Sequence, residues 1–354
     1  MPANTASIAD IARLAGVGTA TVDRVLNKRA GVNAETTQKV MAAVMALGEP
    51  IVMRGRPKQK NDGFRFAYVL PDADTPFFNQ LERLIAQAAG DFRHQHITEV
   101  THRFNADDPA SFAADLSRID DCDGIVLVAP DVPAVKLAIN ELTRAEVHVV
   151  TLFSDVAGSM RDVFVGADNR AAGRTAGLLL ARMTNASFSP NAAARDTLLL
   201  VSQATRMSGE IERRIGFVQV LEERFPNLKI ARLLELPNDD AAITSALEKA
   251  FVTDIEVARL AGVYSVGVGT AGIAKALTDA GFTAESGMGL IAHEITDQHQ
   301  SLLIAGALSY VLHQDIHYCV LTAARALRGL CENVRGALNV VQPRVEILTV
   351  ENLH

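Results

Sequence analysis

Gly267-Val-Gly-Thr-Ala-Gly272 follows an apolar strand (LAGVYSV) and precedes a helical pattern, with Glu294 roughly 20 residues further on. A G-x-G-x-x-G run in that setting offers a dinucleotide its tight turn, bare amides for a pyrophosphate and a carboxylate for a ribose. The same amides at a helix N-terminus could instead hold the phosphate of a smaller ligand. His293 and Glu294 stand together, but the next histidine is His299, whereas a zinc-protease helix needs its second His four positions on. His94, His96 and His102 lie around a helix end and a strand and read as surface residues rather than metal ligands. Cys122, Cys319 and Cys331 are odd in number and lack metal spacing, which suits a reducing cytoplasm. No nucleophile elbow or pair of catalytic acids stands out, so no enzyme, cofactor or metal chemistry is expected.

A different chemistry shows in the cations. Arg54, Arg56, Lys58 and Lys60 crowd a segment between Glu49-Pro50 and Gly63, which is either a solvated tether or a stretch that follows phosphates or a narrow minor groove. The net charge of −7 divides unevenly: residues 1–65 hold ten Lys and Arg against five Asp and Glu (+5), the remainder 24 against 36 (−12). A basic tip on an acidic body is what attraction to phosphates at one end requires. No run of about 18 apolar residues suggests a membrane span, and the N-terminus lacks the basic-then-apolar design of a secretory signal.

The elements that position these groups are legible. From Ser7 to Leu47 the pattern gives three short helices. Ser7 with Asp10 makes a capping-box-like start; Ile8, Ile11, Ala12 and Ala15 follow at helical spacing, and Gly16 supplies the turn. A second helix from Thr19 carries Val22, Val25 and Leu26, and Asn33 caps a third with Val40, Ala43, Val44 and Leu47 inward. Two short helices about a glycine turn form a helix-turn-helix, whose second helix enters a major groove. From Phe64 strands and helices alternate in two series. FRFAYVL, ITEVTHRF, GIVLVA, VHVVTL and VFVGA come first; TLLLV, KIARLLEL, LAGVYSV and GLIAHE follow. This predicts parallel sheets flanked by helices in two lobes, with ligands beyond the carboxyl ends of the strands.

ARLAGVGTATVDRVLN, followed by Val32-Asn33-Ala34-Glu35-Thr36 and Lys39-Val40, closely resembles the DNA-binding headpiece of LacI-family repressors. The resemblance implies that Thr19 and Ala20 read bases, with Arg24 one turn later and Thr21 on a phosphate. Arg bridging guanine O6 and N7, and a methyl packing on thymine, suit that role. Asp23 departs from the serine usual there; its carboxylate repels phosphate unless it pairs with Arg24 or Lys28 or accepts from a cytosine amine. The family also wedges a short hinge helix into the minor groove. Gly55 and Pro57 oppose such a helix, leaving Met53 or Val52 as the wedge, or Arg54 and Arg56 as phosphate or groove contacts.

The body is similar to the family's periplasmic-binding-protein-like sensor. Expected domains are a headpiece over 1–49, a linker over 50–63 and a two-lobed effector-binding and dimerisation body over 64–354. Its first lobe spans about 64–167 plus a late crossing segment, its second about 168–305 plus a C-terminal segment. LPDADTPFFNQL resembles the loop whose ring packs on a sugar, implying Phe78 with Asp74 and Thr75, and Phe77 in the core. Asp155, after VHVVTL, offers a carboxylate, with Ser154 beside it. Asp168 and Asn169 are either cleft residues or caps of the next helix. SGEIERRIGF resembles the helix presenting Arg213 to the effector, with Arg214 solvated; IAHEIT implies Glu294 and YVLHQD implies Gln314. Where the family often has an asparagine after its third second-lobe strand, this chain reads Tyr264-Ser265-Val266-Gly267.

These resemblances imply a cytoplasmic transcriptional repressor: a homodimer on a pseudo-palindromic DNA operator, controlled by a sugar, polyol, sugar acid or sugar phosphate between the lobes. Without a terminal heptad repeat, a coiled-coil tetramer is not expected. The alternatives are a solute-binding protein of transport type and, less favoured, a nicotinamide-cofactor enzyme using Gly267–Gly272.

Overall fold

The computed structural model describes residues 8–26, 32–46, 63–92, 97–186, 195–203, 206–237, 239–267, 269–283, 286–334 and 340–353. The expected contacts Met53, Arg54 and Arg56, with the rest of the linker up to residue 62, lie outside the described residues, as do Leu47 and Val268.

Three helices form one compact unit: α1 (Ile8–Ala15), α2 (Thr19–Leu26) and α3 (Ala34–Ala46). Ile11, Ala12, Val22, Val25, Val40 and Ala43 make its buried core. Gly16, at φ +67°, ends α1 in the left-handed conformation that glycine adopts without a Cβ penalty. The Asn33 carboxamide accepts from the Thr36 amide at 2.8 Å, capping α3.

The body holds two sheets. In the first lobe, β1 (Phe64–Pro71), β2 (Ile97–Phe104), β3 (Gly124–Leu127), β4 (His148–Leu152) and β5 (Val163–Val165) lie parallel in the order β2-β1-β3-β4-β5. Helices α4 (Pro76–Phe92), α5 (Pro109–Leu116) and α6 (Pro133–Arg144) connect them. Alternation along β1 sends Phe66, Tyr68 and Leu70 to one core and Ala67 and Val69 to the other.

The second sheet is ordered β11-β10-β9-β8-β6-β7. Its strands are β6 (Thr197–Gln203), β7 (Lys229–Leu236), β8 (Leu260–Ser265), β9 (Gly289–His293), β10 (Tyr310–His313) and β11 (Glu346–Leu348), of which β11 runs antiparallel to β10. Its helices are α7 (Asn169–Ala186), α8 (Ser208–Arg224), α9 (Asp240–Thr253), α10 (Thr270–Asp279) and α11 (Asp297–Ile304). The α7–α8 contact is tight enough that a Cβ on Gly216 would stand 2.1 Å from the Arg170 carbonyl oxygen.

The chain changes lobe between β5 and α7, and again after β10. There α12 (Ile316–Cys331) turns back and buries Cys319, Val320, Ala323 and Leu327 beneath Phe66 and Tyr68 of the first lobe. It then returns to supply β11. The two crossings at 166–168 and 314–315 lie at the carboxyl ends of β5 and β10, so groups there sit where ligands bind in such sheets. Among the described residues no helix is long and apolar enough to cross a membrane, and no group of three His, Cys, Asp or Glu is placed to hold a metal ion.

Candidate DNA interface and effector site

In the three-helix unit, the turn before α2 is closed by Thr21 and Val22 amides donating to the Gly18 carbonyl at 2.9 and 3.1 Å. Val22 and Val25 face inward, which turns Ala20 and Arg24, one helical turn apart, to solvent. Thr19 is exposed and Thr21 half-buried. A methyl and a guanidinium on one open helical face are the groups that read thymine and guanine edges.

In the body, four polar residues from separate parts of the chain converge. Glu294, just past β9, is 7% exposed and adopts φ +61°, a costly conformation for a residue with a Cβ. Its Oε1 receives the Gln314 Nε2 at 2.8 Å and lies 3.4 Å from Arg213 Nη2; its Oε2 lies 3.1 Å from His313 Nδ1. Burial on its own raises the Glu294 carboxyl. The His313 hydrogen bond, the charges of Arg213 and His313 and the Gln314 amide outweigh it and hold the group below the usual carboxylate range. Arg213 also donates from Nε to Asn169 Oδ1 at 2.7 Å and from Nη1 to the Val266 carbonyl at 3.2 Å.

Asn169 carries the network into the first lobe by donating to the Phe153 carbonyl at 3.1 Å. Phe153, at the end of β4, is the second non-glycine here with positive φ, +59°. Gln314 reaches the same way, its Oε1 accepting from the Ala167 amide at 2.9 Å. Behind the cluster the Tyr264 hydroxyl meets His293 Nε2 at 2.6 Å, and burial, with Arg213 and His299 nearby, keeps His293 neutral far below its ordinary pKa.

The other expected effector residues have partners of their own. Asp155 is clasped by Arg161 through both guanidinium branches and accepts from Thr151 Oγ1 at 2.8 Å. Burial raises its pKa, but those bonds bring it down. Asp168 is exposed and accepts from the Ala171 amide at 2.9 Å, capping α7. Thr75 accepts from the Phe78 amide at 3.1 Å at the start of α4, and Asp74 accepts from Asn79 at 2.8 Å. Phe78 is half-buried, edge-to-face with Phe77 at 5.2 Å; Phe77 in turn meets Phe153 at 5.5 Å, so the aromatic pair leads back to the cluster.

The lobes touch directly beside this site. The Ser208 hydroxyl donates to the Asp155 carbonyl at 2.6 Å and lies 3.2 Å from Ser154 Oγ, and the Asp131 amide donates to the Arg206 carbonyl at 2.9 Å. Further out, a groove of about 660 Å³ separates Pro76, Asn79, Gln80 and Arg83 of α4 from Thr296, Asp297 and Gln298. Asn79 on its wall is the partner of Asp74, but Arg213, Glu294 and Gln314 do not line it.

The glycine-rich run has a different character from a phosphate cradle. Gly269, at φ +60°, precedes α10, and the Gly272 amide donates to the Asp240 carboxylate at 3.2 Å. That helix end is answered by an anion of the chain itself. Two further groups at the site, His313 and Glu210, are implied by no motif in the sequence. The first adjoins Gln314, and the second precedes Arg213 by one helical turn, a spacing that places both on one face.

A family described as "Periplasmic binding protein domain" matches residues 66–333, and one described as "Bacterial regulatory proteins, lacI family" matches residues 7–48. The HTH-type transcriptional regulator MalR of Streptomyces coelicolor is 43% identical over 84 residues, covering 24% of this chain and 24% of MalR. The chain thus aligns with about a quarter of that relative's length. In fold, the chain is similar to GanP, a glucose-galactose binding protein from Geobacillus stearothermophilus, at a TM-score of 0.69 and 17% identity over 83% of this chain and 99% of GanP. It is also similar to a putative LacI transcriptional regulator from Bacteroides fragilis, at 0.66 and 18% over 82% of this chain and 98% of the other. The chain belongs to the periplasmic binding protein domain family through its two-lobed body and carries at its head, over residues 7–48, a helix-turn-helix domain of the bacterial regulatory proteins, lacI family.

Proposed function

We propose that the chain is a sequence-specific DNA-binding transcriptional regulator, acting as a repressor, whose grip on its operator is set by a small sugar-like effector held between the two lobes. The observation that carries this reading is the buried Arg213–Glu294–Gln314–Asn169 network, which links residues of the second lobe to Phe153 and Ala167 of the first. These groups satisfy one another. An effector rich in hydroxyls takes over part of that network and so favours one degree of lobe closure over another, and that differential affinity is what an allosteric ligand needs.

Thr19, Ala20 and Arg24 are the proposed base-reading residues and Thr21 the phosphate contact, with the cations of the 50–63 segment adding to the hold. Two copies of the chain on a pseudo-palindrome place their second helices in successive major grooves. Arg213, Glu294 and Gln314 are the proposed effector ligands, with Phe78 as the stacking surface. The role is binding rather than catalysis, exercised in the cytoplasm where the operator lies. GanP is named for glucose and galactose, which supports a sugar as the first compound class to test.

Selection from a random DNA library at physiological salt tests the reading. The expected product is a two-fold-related site that the chain releases or binds more tightly when its effector is added. Recovery of no sequence above background would leave a solute-binding role in its place.

A further inference from the structure

Glu210 stands in the first turn of α8, two residues past Ser208, which is bonded to the first lobe. Its side chain lies over Gly267 at the end of β8: a Cβ built on Gly267 would meet the Glu210 carboxyl carbon and Oε1 at 3.0 Å and Oε2 at 3.4 Å. The carboxylate therefore fills the space that a side chain from residue 267 would occupy. Its Oε2 is closed off from solvent and has no hydrogen-bond partner among the described residues. An unanswered carboxylate oxygen at a lobe junction is costly in a folded protein and needs a reason.

We propose that Glu210 is an effector-binding residue, its carboxylate accepting a hydroxyl from an uncharged polyhydroxylated ligand at the point where β8 ends in glycine and offers no side chain of its own. This rests on the sugar-effector reading and narrows it. Arg213 sits among two carboxylates, Glu210 and Glu294, and has no charge left over for an anion. Asp240 already answers the Gly272 amide of α10, Arg161 is committed to Asp155, and Arg214 turns to Glu235 at 2.7 Å. A phosphate or carboxylate on the ligand would meet like charge there; hydroxyls would meet acceptors.

The groups facing Glu210 are Arg213 and Arg214 on its own helix, Tyr264 from β8 and, from β6, the Gln203 amide. Burial pushes its carboxyl up to about 7, against the pull of the two arginines and that amide. A ligand hydroxyl that donates to the ionised form binds more tightly as pH rises.

The test is thermal shift followed by calorimetric titration on the full chain and on Glu210→Gln and Glu210→Ala. The probes are D-glucose, D-galactose, D-ribose, D-arabinose and xylitol beside gluconate, glucose 6-phosphate and ribose 5-phosphate. At least one neutral compound is expected to stabilise the wild type and the charged ones to leave it unmoved. Glu210→Ala weakens the neutral compound roughly tenfold or more. Wild-type affinity rises from pH 6 to pH 8, and the Glu210→Gln affinity stays flat. Equal affinity in wild type and Glu210→Ala overturns the assignment while leaving the sugar reading intact, as does a pH slope that persists in Glu210→Gln and so belongs to another group such as His313. Binding of the phosphorylated or acidic compounds alone overturns the neutral-ligand assignment. A panel in which nothing stabilises the wild type overturns the sugar reading, and this inference with it.

Discussion

Gln314 and Glu294 meet side chain to side chain at 2.8 Å, while the other end of the same Gln314 amide accepts the Ala167 N–H at 2.9 Å. One planar group thus joins the carboxylate past β9 to the first crossing of the chain between lobes. Gln314→Ala is expected to leave the Ala167 amide without its partner and remove a donor from Glu294. The cost is about 1–3 kcal/mol in a urea melt, together with loss of the effector's influence on DNA binding. A melt midpoint and dose response unchanged from wild type would remove Gln314 from both roles.

At the DNA-binding end the prediction has the opposite profile. Arg24 is exposed and lies outside the Ile11–Val22–Val40 core, so Arg24→Ala should leave the melting temperature of the chain unchanged. Operator affinity should fall by about 1–3 kcal/mol, with selectivity relaxed at one base position of each half-site. A gel-shift titration that finds uniform weakening across all sequences would make Arg24 a phosphate contact instead.

What the sequence made legible, and what it hid, follows from the range of the interactions involved. The α2 face and the Arg213, Glu294 and Gln314 positions are tied to local strings, a helix start or a strand end, and local strings survive without knowledge of the fold. Asp155 and Asp168 carry the right chemistry at the right strand ends, but each has a nearby claimant: Arg161 six residues on for the first, and the open amides of α7 for the second. Composition cannot show which carboxylate will be claimed. Glu210 was hidden for the converse reason. Its meaning depends on Gly267, which is brought beside it only by the β6–β8 pairing. In the same way, the packing of Cys319 and Leu327 of α12 under Phe66 and Tyr68 is made by the fold and not by any local string.

The α7–α8 contact gives a prediction about stability alone. At Gly216 an added methyl would stand 2.1 Å from the Arg170 carbonyl oxygen and 3.1 Å from the Arg174 amide nitrogen. These are backbone atoms, which move only if a whole helix moves. Gly216→Ala is expected to cost about 3 kcal/mol or more, or to prevent folding of the second lobe. Because α7 and α8 also carry Asn169 and Arg213, any folded Gly216→Ala protein should bind effector poorly. A circular-dichroism melt within a degree of wild type would show that the helices separate more easily than their packing implies.

Glu210 links the site to stability through pH. Its carboxyl titrates at about 7 in the folded chain against an ordinary value of 4.5, because burial penalises the charged form. Below 4.5 both states hold the proton and nothing is lost. Between 4.5 and about 7 the folded state still holds a proton that the unfolded state has released, so stability falls as pH rises, and the full loss is present above 7. Glu294 acts with the opposite sign, since its lowered pKa makes its contribution disappear only as pH falls below the ordinary carboxylate range. Glu210→Gln cannot ionise and escapes the penalty. The variant and wild type should therefore have similar stability at pH 5 and differ at pH 8, where Glu210→Gln is more stable by about 1–3 kcal/mol. Urea melts of the ligand-free proteins at the two pH values measure this directly. A Glu210→Gln chain less stable than wild type at pH 8 would mean that the carboxylate is satisfied where it stands, and that the chain keeps it for packing rather than for a ligand.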